Sequence, residues 1–307
     1  EDSFGALCPQ ESLFTANVYK KIRFSNITPS YMNDSAGWRN IRRAVKFCEG
    51  LLNYFHIYRY IRDNRVDVLH LEWLPYLDFC SVEKHILMFL KKHFPCLRII
   101  LTVHNIYPHN FSAHKREKYR RRMEVVQPYI NHYIVHNQFS KEAICQEFNI
   151  NQKNVTVIHH GVFPMEVHTN VQFDEPNRKK RLLMFGFQSF YKGTDLVIEA
   201  VKLLPKDYLN KIDISIMGIS DKELYEKYQE DCKLLGIYWK NGYVDDSVLS
   251  MAIYQADALL YPYRSISQSG ALLQGIYARK PIILSKLPAF VETMIDYPEE
   301  LFCNVND

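Results

Sequence analysis

Arg181–Val201 reads RLLMFGFQSFYKGTDLVIEAV, and the order of its parts decides the fold. The apolar run RLLMF ends at Gly186, a short loop carries Lys192 and Gly193, and apolar residues return at helical spacing from Thr194. A strand, a glycine turn and a helix in that order make the first half of a βαβ unit. A glycine at a strand end lets backbone N–H groups come close to a phosphate. A lysine beside a helix N-terminus adds charge where the helix dipole already favours anions. The same residues also suit an ordinary β–α turn with a surface lysine, so alone the motif leaves both readings open.

The alternation continues in both directions. Downstream come helix 194–204, strand DISIM, helix 221–235, strand YWKNGYV, helix 246–256, strand DALLYPY, helix 269–279 and strand PIILS. Upstream, Val66–Trp73, Arg98–His104, His132–His136 and Val155–His159 read as strands. Helices are expected around 36–63, 82–94, 115–128 and 140–148, the last started by a Ser140 hydroxyl cap with Glu142 behind it. The polar stretch 164–180 lacks apolar periodicity and separates the two series. These features predict an α/β protein with two Rossmann-like domains of parallel strands, 1–163 and 181–307, joined by a linker at 164–180. A ligand cleft is expected between them. The opening EDSFGALCPQE and the final NVND are abrupt for such domains, and a fragment of a longer protein is the expectation.

Composition narrows the function classes. Of 307 residues, 47% are apolar and 23% charged, ordinary usage for a globular protein with two cores. The 21 Tyr and 18 Phe suit sugar-stacking walls and plain cores alike. A net charge of +4 argues against a nucleic-acid partner. Cys8, Cys48, Cys80, Cys96, Cys145, Cys232 and Cys303 never fall as CxxC, which fits a reducing compartment better than disulfides or zinc. With no apolar run of membrane-span length and no signal pattern, a cytoplasmic location is expected.

A second phosphate-like signal is LLYPYRSISQSGALLQGIYARKPIIL, in which a strand ends at a proline and the loop SISQSG feeds a helix. Ser267, Gln268, Ser269 and Gly270 offer hydroxyls, an amide and open backbone donors, with no acid nearby to repel an anion. Such groups can neutralise a diphosphate without a metal; a plain Ser-Gly helix start is the other reading. No DxD pair is visible, and Asp245–Asp246 reads as a helix start. His104, His109, His136, His159 and His160 lie at or beyond strand ends, on loops without local metal-ligand spacing. For His136 and His159 a bond to a loop carbonyl is the favoured reading. Cations crowd KHILMFLKKHF (84–94) and HKREKYRRR (114–122), either as solvated helix faces or as a surface for anionic lipid headgroups.

Taken in order, GFQSFYKG, MG, GYV, ADALLYPY and SQSGALLQGIYARKPII resemble the donor domain of GT-B glycosyltransferases of family 4. VDVLHLEW, LTVHNIYPHN, YIVHNQFSKE and VTVIHHGV resemble the acceptor domain of the same family, closest to a polysaccharide-biosynthesis branch with an SG motif. The resemblance covers roughly residues 60–295. It implies that Gly186 and Phe187 approach the donor phosphates and that Lys192 beside Gly193 neutralises them. It implies that Ser267, Gln268, Ser269 and Gly270 meet the distal phosphate and sugar, and that Tyr243 and Val244 meet the base. By the same resemblance His104 is the active-site histidine, with Asn105 and His109 on the acceptor side. Members usually carry two glutamates where this chain has Ile266 and Gln274; Gln274 can still bond a ribose hydroxyl, whereas Ile266 makes no carboxylate contact.

The expected activity is therefore retaining sugar transfer from a nucleoside diphosphate sugar to an acceptor hydroxyl, in polysaccharide or glycolipid biosynthesis. The expected partners are that donor and a saccharide or lipid-linked saccharide, with peripheral contact at the inner membrane face and no metal cofactor. A sugar-nucleotide epimerase and a non-catalytic nucleotide-sugar-binding module remain as alternatives. A dehydrogenase is disfavoured, because no GxGxxG follows a strand.

Overall fold

The computed structural model describes residues 39–108, 111–162, 165 and 178–306. Two compact units interleave along the chain: Glu1–Thr102 with Ser112–His132, and Val103–Phe111 with Tyr133–Asp307.

The first unit holds α1 (Arg39–Asn64), β1 (Val68–Leu71), α2 (Val82–His93), β2 (Arg98–Thr102) and α3 (Ala113–Val126). Strand β2 pairs parallel with β1 and buries Ile99 and Leu101 on alternate positions. Helix α2 buries Glu83, Leu87 and Leu90, the i, i+4, i+7 stripe of an amphipathic helix. Glu83 occupies an apolar position in that stripe. Its Oε1 accepts from Tyr76 N at 2.7 Å, but Oε2 is buried without a hydrogen-bond partner. Burial pushes its carboxyl up to about 8. On α1, Gly50 is required by close approach: a Cβ there would lie 2.0 Å from the Tyr76 hydroxyl, which donates to Phe47 O.

The second unit opens with β3 (His132–Val135), α4 (Gln138–Phe148) and β4 (Val155–Val157). It continues with β5 (Lys180–Phe185), α5 (Thr194–Leu203), α6 (Lys206–Leu209), β6 (Ile212–Gly218), α7 (Lys222–Leu235), β7 (Tyr238–Asn241) and α8 (Asp246–Gln255). Strand β8 (Ala258–Tyr261), α9 (Gly270–Tyr277), β9 (Ile282–Ser285), α10 (Pro288–Thr293) and β10 (Phe302–Cys303) complete it. Strand β3 pairs parallel with β4, and β5 to β10 form a six-stranded sheet in the order β10-β9-β8-β5-β6-β7. Every pairing in the second sheet is parallel. Numbered from β5, that order is the 3-2-1-4-5-6 of a doubly wound nucleotide-binding sheet. All four residues of β8 are buried, as a central strand covered on both faces requires.

Local boundaries depart from the sequence reading at several points. Helix α4 begins at Gln138, and its cap is Asn137, whose side chain accepts from Ser140 N at 2.7 Å. Ser140 is buried inside the first turn, because the extended Asn137 backbone leaves its short amide facing the free N–H groups. Strand β2 stops at Thr102, two residues before His104, and β7 stops before Gly242. Residues 36–38 of the first expected helix lie outside the described residues, as do most of 164–180. No described helix is long and apolar enough to cross a membrane.

Candidate functional site

Neighbouring strands β5 and β8 send their connections in opposite directions, so a crevice opens at their carboxyl ends. The loops that follow them are those singled out in the sequence. Glycines end or follow three adjacent strands here, Gly186 after β5, Gly218 in β6 and Gly242 after β7, all with positive φ. They sit close: a Cβ on Gly218 would lie 2.0 Å from Gly186 O, and Gly242 N donates to Gly218 O at 3.3 Å. The result is a bare backbone ledge. Gln188, fully buried, stiffens it by donating to Gly186 O and accepting from the Thr194 hydroxyl.

Lys192 stands on this ledge. A Cβ built on Gly186 would be 3.1 Å from Lys192 Nζ, and the ammonium lies 5.4 Å from the centre of the Tyr263 ring. Lys192 is buried, and no carboxylate pairs with it among the described residues. Burial alone draws its ammonium down to about 8. Gly193 then takes φ +74 and starts α5. Any Cβ at Gly193 would meet Pro262 O at 1.9 Å, so the β5 loop and the end of β8 touch backbone to backbone. Arg264 ties them further. Its N–H donates to Tyr191 O at 2.8 Å and its guanidinium grips Asp195 through two bonds of 2.7 and 2.8 Å. The acid in the first turn of α5 is thereby neutralised before any anion arrives.

Ser269 caps α9, its hydroxyl accepting from Leu272 N at 3.2 Å, and Gly270 is the first helical residue. Gln268 Nε2 is buried without a hydrogen-bond partner, a donor with unused capacity in the same loop. Ile266 packs against the core, and Gln274 is half-buried on α9. Phe187 and Tyr243 are exposed beside the ledge, whereas Val244 is buried. Asp245 precedes α8, which begins at Asp246.

His104 and Asn105 belong to the second unit and are half-buried, while His109 lies outside the described residues. His104 Nδ1 is 3.2 Å from His136 Nε2, and His136 Nδ1 is 2.9 Å from Ile158 O. His136 therefore meets a loop carbonyl as read from sequence, and His159 is exposed. The next residue, Asn137, donates to Ser267 O at 2.6 Å, so the histidine strand end and the SISQSG loop are joined inside one unit. Glu292 of α10 completes the join: its carboxylate accepts from Gln138 N at 2.5 Å and Phe139 N at 3.1 Å. A carboxylate on the free N–H groups of a helix start is a favourable charge–dipole arrangement. Glu292→Ala is expected to lower stability by about 1 kcal/mol, read as a shift of the urea midpoint at unchanged slope. An unchanged midpoint would remove Glu292 from the account of α4.

Sequence reading missed Gln188, Asn137, Asp195, Arg264 and Glu292. The motif carried a signal for Gln188 and Asp195 only in that both sit within the phosphate loop and helix start. Among the described residues no group of three or more His, Cys, Asp or Glu side chains is placed to hold a metal ion.

Residues 30–164 match the family model described as Glycosyltransferase Family 4. The uncharacterized glycosyltransferase MJ1607 of Methanocaldococcus jannaschii is 23% identical over 165 residues, 50% of this chain and 41% of that protein. The chain thus spans less than half the length of this curated relative. Among solved structures, Anabaena Alr3699/HepE in complex with UDP and glucose is 13% identical at a TM-score of 0.58, covering 80% of this chain and 65% of that one. The pneumococcal O-GlcNAc transferase GtfA in complex with UDP and GlcNAc is 16% identical at a TM-score of 0.55, covering 80% and 47%. Residues 30–164 are thus similar to Glycosyltransferase Family 4, and the chain shares the GT-B fold of these solved structures.

Proposed function

We propose that the chain is a retaining, metal-independent hexosyltransferase that moves a sugar from a UDP-sugar to an acceptor hydroxyl. Residues 181–307 hold the donor in this reading, and residues 1–163, with His104, Asn105 and His109, face the acceptor. The observation that carries it is Lys192: a buried ammonium with no carboxylate partner among the described residues, set on a glycine ledge at the switch point of the sheet. A protein bears the desolvation of such a charge where an anion is to be met. The ledge N–H groups, the Lys192 ammonium, the Gln268 amide and the start of α9 would share the charge of a departing diphosphate. Tyr243 and Phe187 would flank the base and phosphates. The choice of uridine leans on the UDP held by Alr3699/HepE and GtfA. Retention follows the family resemblance. The acceptor is proposed to be a saccharide or lipid-linked saccharide in polysaccharide or glycolipid synthesis, met in the cytoplasm at the inner membrane face.

Calorimetric titration with UDP, GDP, ADP and NAD in metal-free buffer tests the donor site. UDP binding is expected, with an affinity that is level between about pH 7, where its terminal phosphate is ionised, and about pH 8. Because burial holds the free ammonium at about 8, more alkaline buffer removes the proton that the diphosphate needs. The affinity should then weaken by about tenfold for each further pH unit. Binding of NAD alone would overturn the reading, and a pH-independent UDP affinity would detach Lys192 from the diphosphate.

A further inference from the structure

A helix on a protein surface buries one apolar stripe and turns polar residues to water. Helix α1 carries two apolar stripes. Gly50, Tyr54 and Ile61 are buried at the spacing of a core-facing stripe. Ile41, Cys48, Leu52 and Phe55 recur at helical spacing as well, and all four are exposed. Helix α2 repeats the arrangement: opposite its buried stripe, Met88 and Phe89 stand exposed between His85 and Lys92. The two outer stripes meet. Tyr58 stacks on Phe55 with ring centres 6.5 Å apart and lies 5.3 Å from Phe89, while His93 lies 4.0 Å from Phe89. From Ile41 to Phe55 the stripe on α1 alone runs about 20 Å.

Cations border this apolar face. Arg43, Arg59 and Lys92 are exposed on the same two helices. No exposed acid of α1 or α2 lacks a cation partner: Glu49 and Glu83 are buried, and Asp63 is bonded to Arg62. An apolar stripe rimmed by cations is the composition of a helix face that lies in the headgroup layer of an anionic bilayer. A protein partner of the same chemistry would need carboxylates set opposite these particular cations, whereas a bilayer asks only for sign and apolar depth. We propose that the α1–α2 face docks the protein on anionic bilayers, its aromatic stripe entering the headgroup layer while Arg43, Arg59 and Lys92 meet lipid phosphates. The inference builds on the membrane placement proposed above. Vesicle binding tests it without any sugar transfer, and UDP titration tests the donor reading without any lipid.

The direct measurement is flotation with phosphatidylcholine vesicles and with vesicles of phosphatidylcholine and phosphatidylglycerol in equal parts. The wild type should float with the mixed vesicles, stay behind with the neutral ones, and be released by salt. The double variant Arg59→Gln with Lys92→Gln should bind about thirtyfold more weakly. Phe55→Gln with Phe89→Gln should bind about tenfold more weakly, with both variants checked as folded by circular dichroism. Lys206→Gln, on α6 of the second unit, should bind like the wild type. Cys48 offers a readout that needs no substitution: its labelling by maleimide, mapped by mass spectrometry, should slow about fivefold on mixed vesicles. Absence of wild-type flotation, equal flotation with neutral vesicles, or undiminished binding by both double variants would overturn the proposal. Unchanged Cys48 labelling of vesicle-bound protein would do the same. So would light scattering that shows a dimer separated by Phe55→Gln with Phe89→Gln, because a second copy would then cover the face.

Discussion

In the proposed sugar transfer, Lys192→Met should cut the rate by about a hundredfold to a thousandfold while making the unliganded protein more stable. The two effects share one cause. The ammonium is held in a buried position whose desolvation draws it from 10.5 down to about 8. Holding the charged form there at neutral pH costs roughly 3 kcal/mol against the unfolded chain. Methionine fills much the same volume without a charge, so that penalty disappears. The sign follows from proton binding. Between about 8 and 10.5 the unfolded chain holds the proton more tightly than the native state, so wild-type stability rises with pH through that window. The advantage of Lys192→Met should be full below pH 8 and fade above it. Chemical denaturation at pH 7 and pH 10, beside a transfer assay at pH 7, measures both halves. Retained transfer would remove Lys192 from catalysis, and a loss of stability at pH 7 would show that the stem packs more than the charge costs.

Glu83→Gln is the second large effect and lies far from any donor chemistry in sequence. The native carboxyl is pushed up to about 8, chiefly by burial, against an unfolded value of 4.5. Below 4.5 both states are protonated and the site is neutral in each. As pH rises through the window, the unfolded carboxyl ionises while the native one must keep its proton, so native stability falls until about pH 8. The loss amounts to roughly 4 kcal/mol by the end of the window. Glutamine retains an oxygen for Tyr76 N and never ionises, so the variant should match the wild type near pH 4.5 and exceed it by several kcal/mol at pH 8. Urea unfolding at those two pH values decides the matter. A variant equally destabilised at both would mean that Oε2 has a bond that an amide cannot make.

The second sheet was readable because its chemistry is local. β8 is buried on both faces, so ALLY appears as one apolar run, and RLLMFG announces both a strand and the glycine that ends it. The start of α9 was equally plain, since Ser269 caps through its own neighbouring turn. Other features depend on partners that lie far apart in the chain. Arg264 and Asp195 are separated by 69 positions, and Asn137 and Ser267 by 130. No spacing rule links such pairs before the fold exists. Ser140 misled for a different reason: a hydroxyl followed by an acid resembles a cap, but Asn137 meets the same N–H groups first. The strand order that places the β5 and β8 loops together is also a property of the sheet, and alternation alone leaves it open.

The glycine ledge limits how this protein could be retargeted in the laboratory. At Gly186, Gly193 and Gly218 the backbone is already in positive φ, and at Gly193 and Gly218 a carbonyl stands where a side chain would begin. Saturation libraries at these codons should return almost nothing but the parent residue. Phe187 and Tyr243 border the same ledge with open side chains, 46% and 71% exposed. Engineered change has room at these two aromatic margins, whereas the glycine floor beside them leaves none.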